Sequence, residues 1–151
     1  MYQKILVPID GSDTSQRGLD EAIKLAKDQH AVIRLLHVVN EWMVVATNEG
    51  AFYTGDLIQG LREGGKALLE KSRAAVSAAG IQVETELVEA NGGHAGHAIV
   101  KDAENSKADI IVLGTHGRRG LGRLLMGSDA EQVVREARVP VLLIRQPAGK
   151  R

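Results

Sequence analysis

Ile110-Ile111-Val112-Leu113-Gly114-Thr115-His116-Gly117-Arg118-Arg119-Gly120-Leu121-Gly122-Arg123, with Gly127-Ser128 shortly after, decides how the chain is read. The first four residues are a fully apolar run of strand length, which suits a strand covered on both faces. The glycines then follow the spacing G-x2-G-x9-G-S, from Gly114 through Gly117 and Gly127 to Ser128. A helical stripe, Ala130, Val133, Val134 and Ala137, begins directly after it. Glycine lets the backbone turn freely and lets a phosphate approach without meeting a Cβ. Ser128 can cap the helix while the N–H groups of its first turn face an anion. Arg118, Arg119 and Arg123 add positive charge where a polyphosphate would lie. The stretch reads as strand, phosphate loop, helix.

Working outward, strand-like and helix-like segments alternate over the whole chain. Lys4 to Ile9 reads as a first strand, followed by a helix start at Asp13 with Gln16 three residues on. Leu19, Ala22, Ile23 and Ala26 then mark one helical stripe. Val32 to Val38 is the second strand. Leu57, Leu61, Leu68, Leu69 and Val76 trace a second helix ending at Gly80, with an unfavourable Gly64-Gly65 pair in its middle. Ile81, Val83, Thr85 and Leu87 alternate with polar residues, which predicts a third strand with one wet face. Ala95, Ala98, Ile99 and Ala103 form a third, weaker stripe, and Val139 to Ile144 is the last strand. Five strands separated by four helices imply a parallel sheet covered on both faces. No internal repeat or linker interrupts the pattern, so residues 1–151 are expected to form one domain.

Composition narrows the function. Lysine plus arginine equals aspartate plus glutamate, 19 against 19, which argues against a protein whose main task is to grip nucleic acid or an anionic membrane. The absence of cysteine excludes disulfides, thiol catalysis and cysteine-ligated zinc. Met1-Tyr2-Gln3-Lys4 runs into the first strand without a signal-peptide core, and no stretch reaches transmembrane length, so the expected location is the cytoplasm. His94 and His97 lie at i, i+3 but lack carboxylates at ligand spacing, and read as surface histidines. His37, inside an apolar strand, reads as a satisfied core histidine, and His116 as shaping its loop. Two common nucleotide signatures are missing: there is no G-x4-G-K-[ST], and Asp10-Gly11-Ser12 replaces G-x-G-x-x-G after the first strand.

Several segments together resemble the universal stress proteins: Lys4 to Ser12, Leu36-His37-Val38, Ala108 to Gly114, Gly127 to Val134 and Val139 to Arg145. Members of that family with G-x2-G-x9-G-[ST] resemble ATP binders, and this chain has the full pattern. The resemblance implies an open five-stranded parallel sheet of order 3-2-1-4-5 with helices on both faces, adenine nucleotide alpha hydrolase-like. Asp10 and Gly114 would then sit side by side where the strand order reverses. Pro8, Ile9 and Asp10 would flank adenosine, with Asp10 accepting from the ribose hydroxyls, and Val38 would meet the adenine through its backbone. Gly114, His116, Gly117, Arg118, Arg119, Gly127, Ser128 and Asp129 would line the ribose and phosphates. A carboxylate at Asp129 repels phosphate unless Mg²⁺ intervenes or the side chain points away.

Each of these residues also has a plainer reading. Asp10 can close a turn with Gly11, and Ser128 with Glu131 forms a capping box. The Asp10–Ser15 segment is faintly similar to the S-G-G-x-[DS]-S loop of ATP pyrophosphatases, but the charge of Asp10 would repel pyrophosphate. A phospho-receiver needs a lysine after the last strand, where Arg145-Gln146 stands. The expected function is therefore an ATP-binding, nucleotide-responsive module of the stress response that acts through an unknown protein partner. The alternatives are slow ATP hydrolysis, with Asp129 or His116 orienting a water, and sensing of AMP or cyclic AMP. The last strand, Val139 to Arg145, is continuously apolar as far as Ile144, would lie at a sheet edge in the order the resemblance implies, and is expected to join a homodimer. The loop from Val39 to Gly55, with Trp42, Phe52 and Tyr53, reads equally as partner surface, lid or packed cover.

Overall fold

The computed structural model describes residues 1–41, 54–90, 92–115 and 126–145. Among these residues nine elements follow one another: β1 (Lys4–Pro8), α1 (Asp13–Gln29), β2 (Val32–Val39), α2 (Thr54–Ala78), β3 (Val83–Glu89), α3 (Ala95–Ser106), β4 (Ile110–Gly114), α4 (Ser128–Glu136) and β5 (Val141–Ile144). The strands form one sheet in the order β3-β2-β1-β4-β5, every pair parallel. That is the fold the resemblance implied. Of the loop from Val39 to Gly55, residues 42–53 lie outside the described residues.

Alternation along each strand builds two cores. Ile5, Val7, Ile33, Leu35 and Val112 face Leu19 and Ala22 of α1 and Leu69 and Val76 of α2. Leu6, Leu36, Ile111 and Leu113 face Ile99 and Ala103 of α3 and Ala130 and Val133 of α4. A fully buried aliphatic side chain of this size contributes about 1.5–3 kcal/mol, so the central strands dominate stability. β4 is buried from Ile110 to Leu113, as a run that is apolar on both faces requires.

Several boundaries shift for local reasons. Ser12, not Asp13, caps α1: its Oγ accepts from the Ser15 N–H at 3.2 Å, and Asp13 is the first helical residue. α2 runs unbroken through Gly64-Gly65 and stops before Gly80, whose φ of 77° suits glycine alone. β3 begins at Val83, with Ile81 buried in the turn before it.

The face of β3 expected to be wet carries ion pairs. Arg34 on β2 grips Asp102 of α3 through Nε at 2.8 Å and through its terminal nitrogen at 2.7 Å, and also meets Glu84 and Glu86. Lys4 bonds Glu84 at 3.0 Å. The Asp102 bond raises the Arg34 pKa further, and the Lys4 bond holds Glu84 below the ordinary glutamate range. Asp102 is only 7% exposed, so its pair with Arg34 ties α3 to the sheet. No described helix is long and apolar enough to cross a membrane.

Candidate functional site

In a parallel sheet the carboxyl ends of the strands meet helix N-termini, and ligands collect where the strand order reverses. Here that place lies between β1 and β4. Their pairing covers Ile5↔Ile110 and Leu6↔Ile111 and then stops, so the chains part above it. One wall of the crevice is Pro8-Ile9-Asp10 and the other is Leu113-Gly114-Thr115. The described ends of the glycine-rich segment are drawn together by Gly127 N–H donating to the Thr115 carbonyl at 2.7 Å. His116, Gly117, Arg118, Arg119 and Arg123 lie outside the described residues.

Asp10 occupies a half-buried position just past β1, and its Oδ1 accepts from the Ser12 N–H at 2.9 Å. Gly11 between them has a φ of 81°. The turn reading is therefore correct for Asp10. It does not compete with ligand binding, because a carboxylate has about four acceptor sites. Ile9 sends its side chain into the core and its N–H to the Leu36 carbonyl at 2.8 Å, which makes it scaffold for its neighbours. Val38 is half-buried against the α3–α4 core.

Gly114 has a packing duty that its place in the glycine pattern did not reveal. A Cβ there would stand 2.8 Å from Thr14 Cβ and 2.9 Å from the Thr14 carbonyl carbon, so the glycine lets α1 seat directly against the end of β4.

At the other lip, the capping role given to Ser128 needs correction. Gly127 is the N-cap of α4, it has no side-chain cap, and Ser128 is the first helical residue. Its Glu131 partner donates its backbone N–H to the Gly127 carbonyl at 2.9 Å. Gly127 takes the ordinary extended conformation of an N-cap, with φ −62° and ψ 151°. An α4 N-terminus without a side-chain acceptor keeps its positive dipole end for an anion.

The Asp129 carboxylate meets the neighbouring helix α3. Its Oδ1 accepts from Gly96 N–H at 3.0 Å, the second residue of α3. The N-cap of α3, His94, makes no side-chain cap bond, and Asp129 takes that place from the neighbouring helix. Gly96 makes the approach possible, since a Cβ there would lie 2.8 Å from the Asp129 carbonyl oxygen. Sequence reasoning missed Gly96. The available signal was a glycine in a first helical turn, where it is costly without a packing reason. His97, exposed as expected, lies 3.6 Å from Glu136 of α4. No group of three or more ligating side chains that could hold a metal occurs among the described residues. A depression of about 380 Å³ beside Lys107 and Arg138 lies at the amino ends of β4 and β5, away from this crevice.

Comparison with known proteins agrees with this architecture. Residues 1–145 match the universal stress protein family. The universal stress protein MJ0531 of Methanocaldococcus jannaschii is 38% identical over 149 residues, which span 97% of this chain and 84% of the relative. The solved structure of MJ0577, also from Methanocaldococcus jannaschii, superimposes with a TM-score of 0.85 at 30% identity, covering 99% of each chain. A universal stress protein in complex with cAMP is 26% identical with a TM-score of 0.65, covering 95% of this chain and 97% of its own. The Archaeoglobus fulgidus protein in complex with dAMP is 25% identical with a TM-score of 0.66, covering 95% of this chain and 98% of its own.

Proposed function

The chain belongs to the universal stress protein family, and from that premise we propose that it is an ATP-binding, nucleotide-responsive regulatory module that acts as a homodimer in the cytoplasm. The observation that carries this reading is the parting of β1 and β4 at the order reversal, with the α4 N-terminus opening beside it. Asp10 would accept from the ribose hydroxyls, Pro8 would flank the nucleoside, and the Val38 backbone would read the adenine. Gly114, His116, Gly117, Arg118, Arg119, Gly127 and Ser128 would surround the ribose and phosphates. Relatives solved with cAMP and dAMP support an adenine nucleotide as the ligand class. The glycine pattern and its arginines favour the triphosphate. Mg²⁺ would ride on the phosphate oxygens and water.

Purified protein should release ATP on denaturation, as read by chromatography. Titration should show ATP with Mg²⁺ preferred over GTP, and Gly117→Val should abolish binding with the fold intact. Heat with GTP or NADH but none with ATP would overturn the proposal. So would steady-state hydrolysis near the enzyme median of about 10 s⁻¹. The cAMP and dAMP complexes favour a second reading, a monophosphate sensor. AMP binding as tightly as ATP would select it.

A further inference from the structure

We propose that His37 is a specificity-determining residue: its imidazole takes the Ile9 carbonyl and so leaves the Val38 N–H for the acceptor edge of an adenine base. The inference rests on the adenine-nucleotide reading above and adds a residue that reading does not use.

The backbone pairing of β2 shows how this works. Toward β1, the bonds alternate through the even-numbered residues: Val32 N–H donates to Gln3, and Ile9 N–H donates to the Leu36 carbonyl, each at 2.8 Å. The next bond of a parallel ladder would run from Val38 N–H to the Ile9 carbonyl. It is not among the bonds of the described residues, and the β1–β2 pairing ends at Pro8↔Leu36. Pairing of β2 with β3 continues past this point to Val39↔Glu89. The Ile9 carbonyl accepts instead from Nδ1 of His37 at 2.8 Å. A carbonyl only accepts, so Nδ1 carries the proton. The side chain thus replaces one backbone donor and directs the Val38 N–H into the mouth between β1 and β2. Adenine offers ring acceptors on its pairing edge, whereas guanine presents an N–H at the corresponding ring position. A single fixed donor at Val38 therefore favours adenine.

A second observation shows that the ring is held in place. His37 is 8% exposed, and α2 passes over it at Gly65. A Cβ on Gly65 would stand 2.5 Å from His37 Cδ2 and 2.9 Å from Nε2. The glycine that weakens the middle of α2 is the space the imidazole occupies.

The test compares wild type, His37→Leu, His37→Asn and Gly65→Ala, with circular dichroism to establish folding. Amide hydrogen exchange at Val38 and titrations with ATP and GTP in Mg²⁺ are the readouts. Without nucleotide, the wild-type Val38 amide should exchange at least about tenfold faster than that of Val39, and ATP should protect it. In His37→Leu the Ile9 carbonyl accepts from Val38, so that amide becomes protected without ligand. ATP affinity should fall about tenfold and the ATP/GTP preference should approach one. Gly65→Ala, which displaces the ring without removing it, should shift both readouts in the same direction. His37→Asn, whose amide nitrogen can stand where Nδ1 does, should restore them. If His37→Leu does not fold, Gly65→Ala against wild type gives the same comparison. A protected Val38 amide in unliganded wild type overturns the inference, as does an unchanged ATP/GTP preference in folded variants that lack the ring's bond. Wild type that binds no adenine nucleotide defeats the functional reading itself and the specificity role with it.

Discussion

Asp129 stands one residue into α4, yet its carboxylate serves α3, where Gly96 N–H donates to it at 3.0 Å. A side-chain oxygen in that position satisfies one of the four orphan donors of a helix start and contributes about 1 kcal/mol. Asp129→Ala should therefore lower stability by about 1 kcal/mol, or about 2–4 °C in Tm for a chain of this size. Asp129→Asn keeps the acceptor and should stay close to wild type. Thermal unfolding of the two variants decides the point. Equal losses would show that charge, and not the cap, is what matters. At Gly114 the residue type was legible in the sequence but its first duty was not, because the neighbour it makes room for, Thr14, belongs to a distant helix.

At the scale of elements, α2 holds two adjacent glycines with opposite reasons. Gly65 lies against His37, while a Cβ on Gly64 would meet nothing within 4 Å. Gly64 is exposed and helical, so its only effect is the entropic penalty of glycine. Gly64→Ala should stabilise the protein by about 0.5–1 kcal/mol in denaturant unfolding, with nucleotide binding unchanged. Destabilisation there would mean that α2 needs flexibility at this point. The sequence read the two positions as one weak spot. Helical periodicity cannot distinguish a glycine that faces solvent from one that faces a ring on another strand.

At the scale of the molecule, β5 is, among the described residues, an edge strand that pairs with β4. The Pro140 and Ile144 carbonyls accept from Ile111 and Thr115, so Val141 and Leu143 direct their own N–H and C=O groups outward. Their side chains pack on the α3–α4 core, and Leu142, on the opposite side, is 38% exposed. Charges at Val141 or Leu143 would therefore unfold the domain before they reported on assembly. Proline at the first residue of β5 is a cleaner probe of the proposed homodimer, because it removes one outward N–H and leaves the β4 ladder intact. Wild type should have the mass of two chains by light scattering at micromolar concentration, and Val141→Pro that of one. With a net charge of zero, overall charge repulsion between two copies is absent. A wild-type monomer, or a proline variant that stays dimeric, would exclude β5 pairing.

The alternation of strands and helices and the parallel sheet are legible in the residues alone. So is the glycine-rich segment between β4 and α4. These follow from signals within a few residues: a period of two or 3.6, an apolar run, a glycine spacing. The strand order came from the resemblance, not from any local pattern, and the observed sheet agrees with it. Where the polar atoms of the site region point follows from the packing of distant elements. Asp129 reaches Gly96 across 33 residues, and His37 meets Ile9 across 28. Such bonds depend on how two helices cross or two strands end. A carboxylate that a sequence places beside phosphate can turn to whichever unsatisfied N–H group the packing brings nearest.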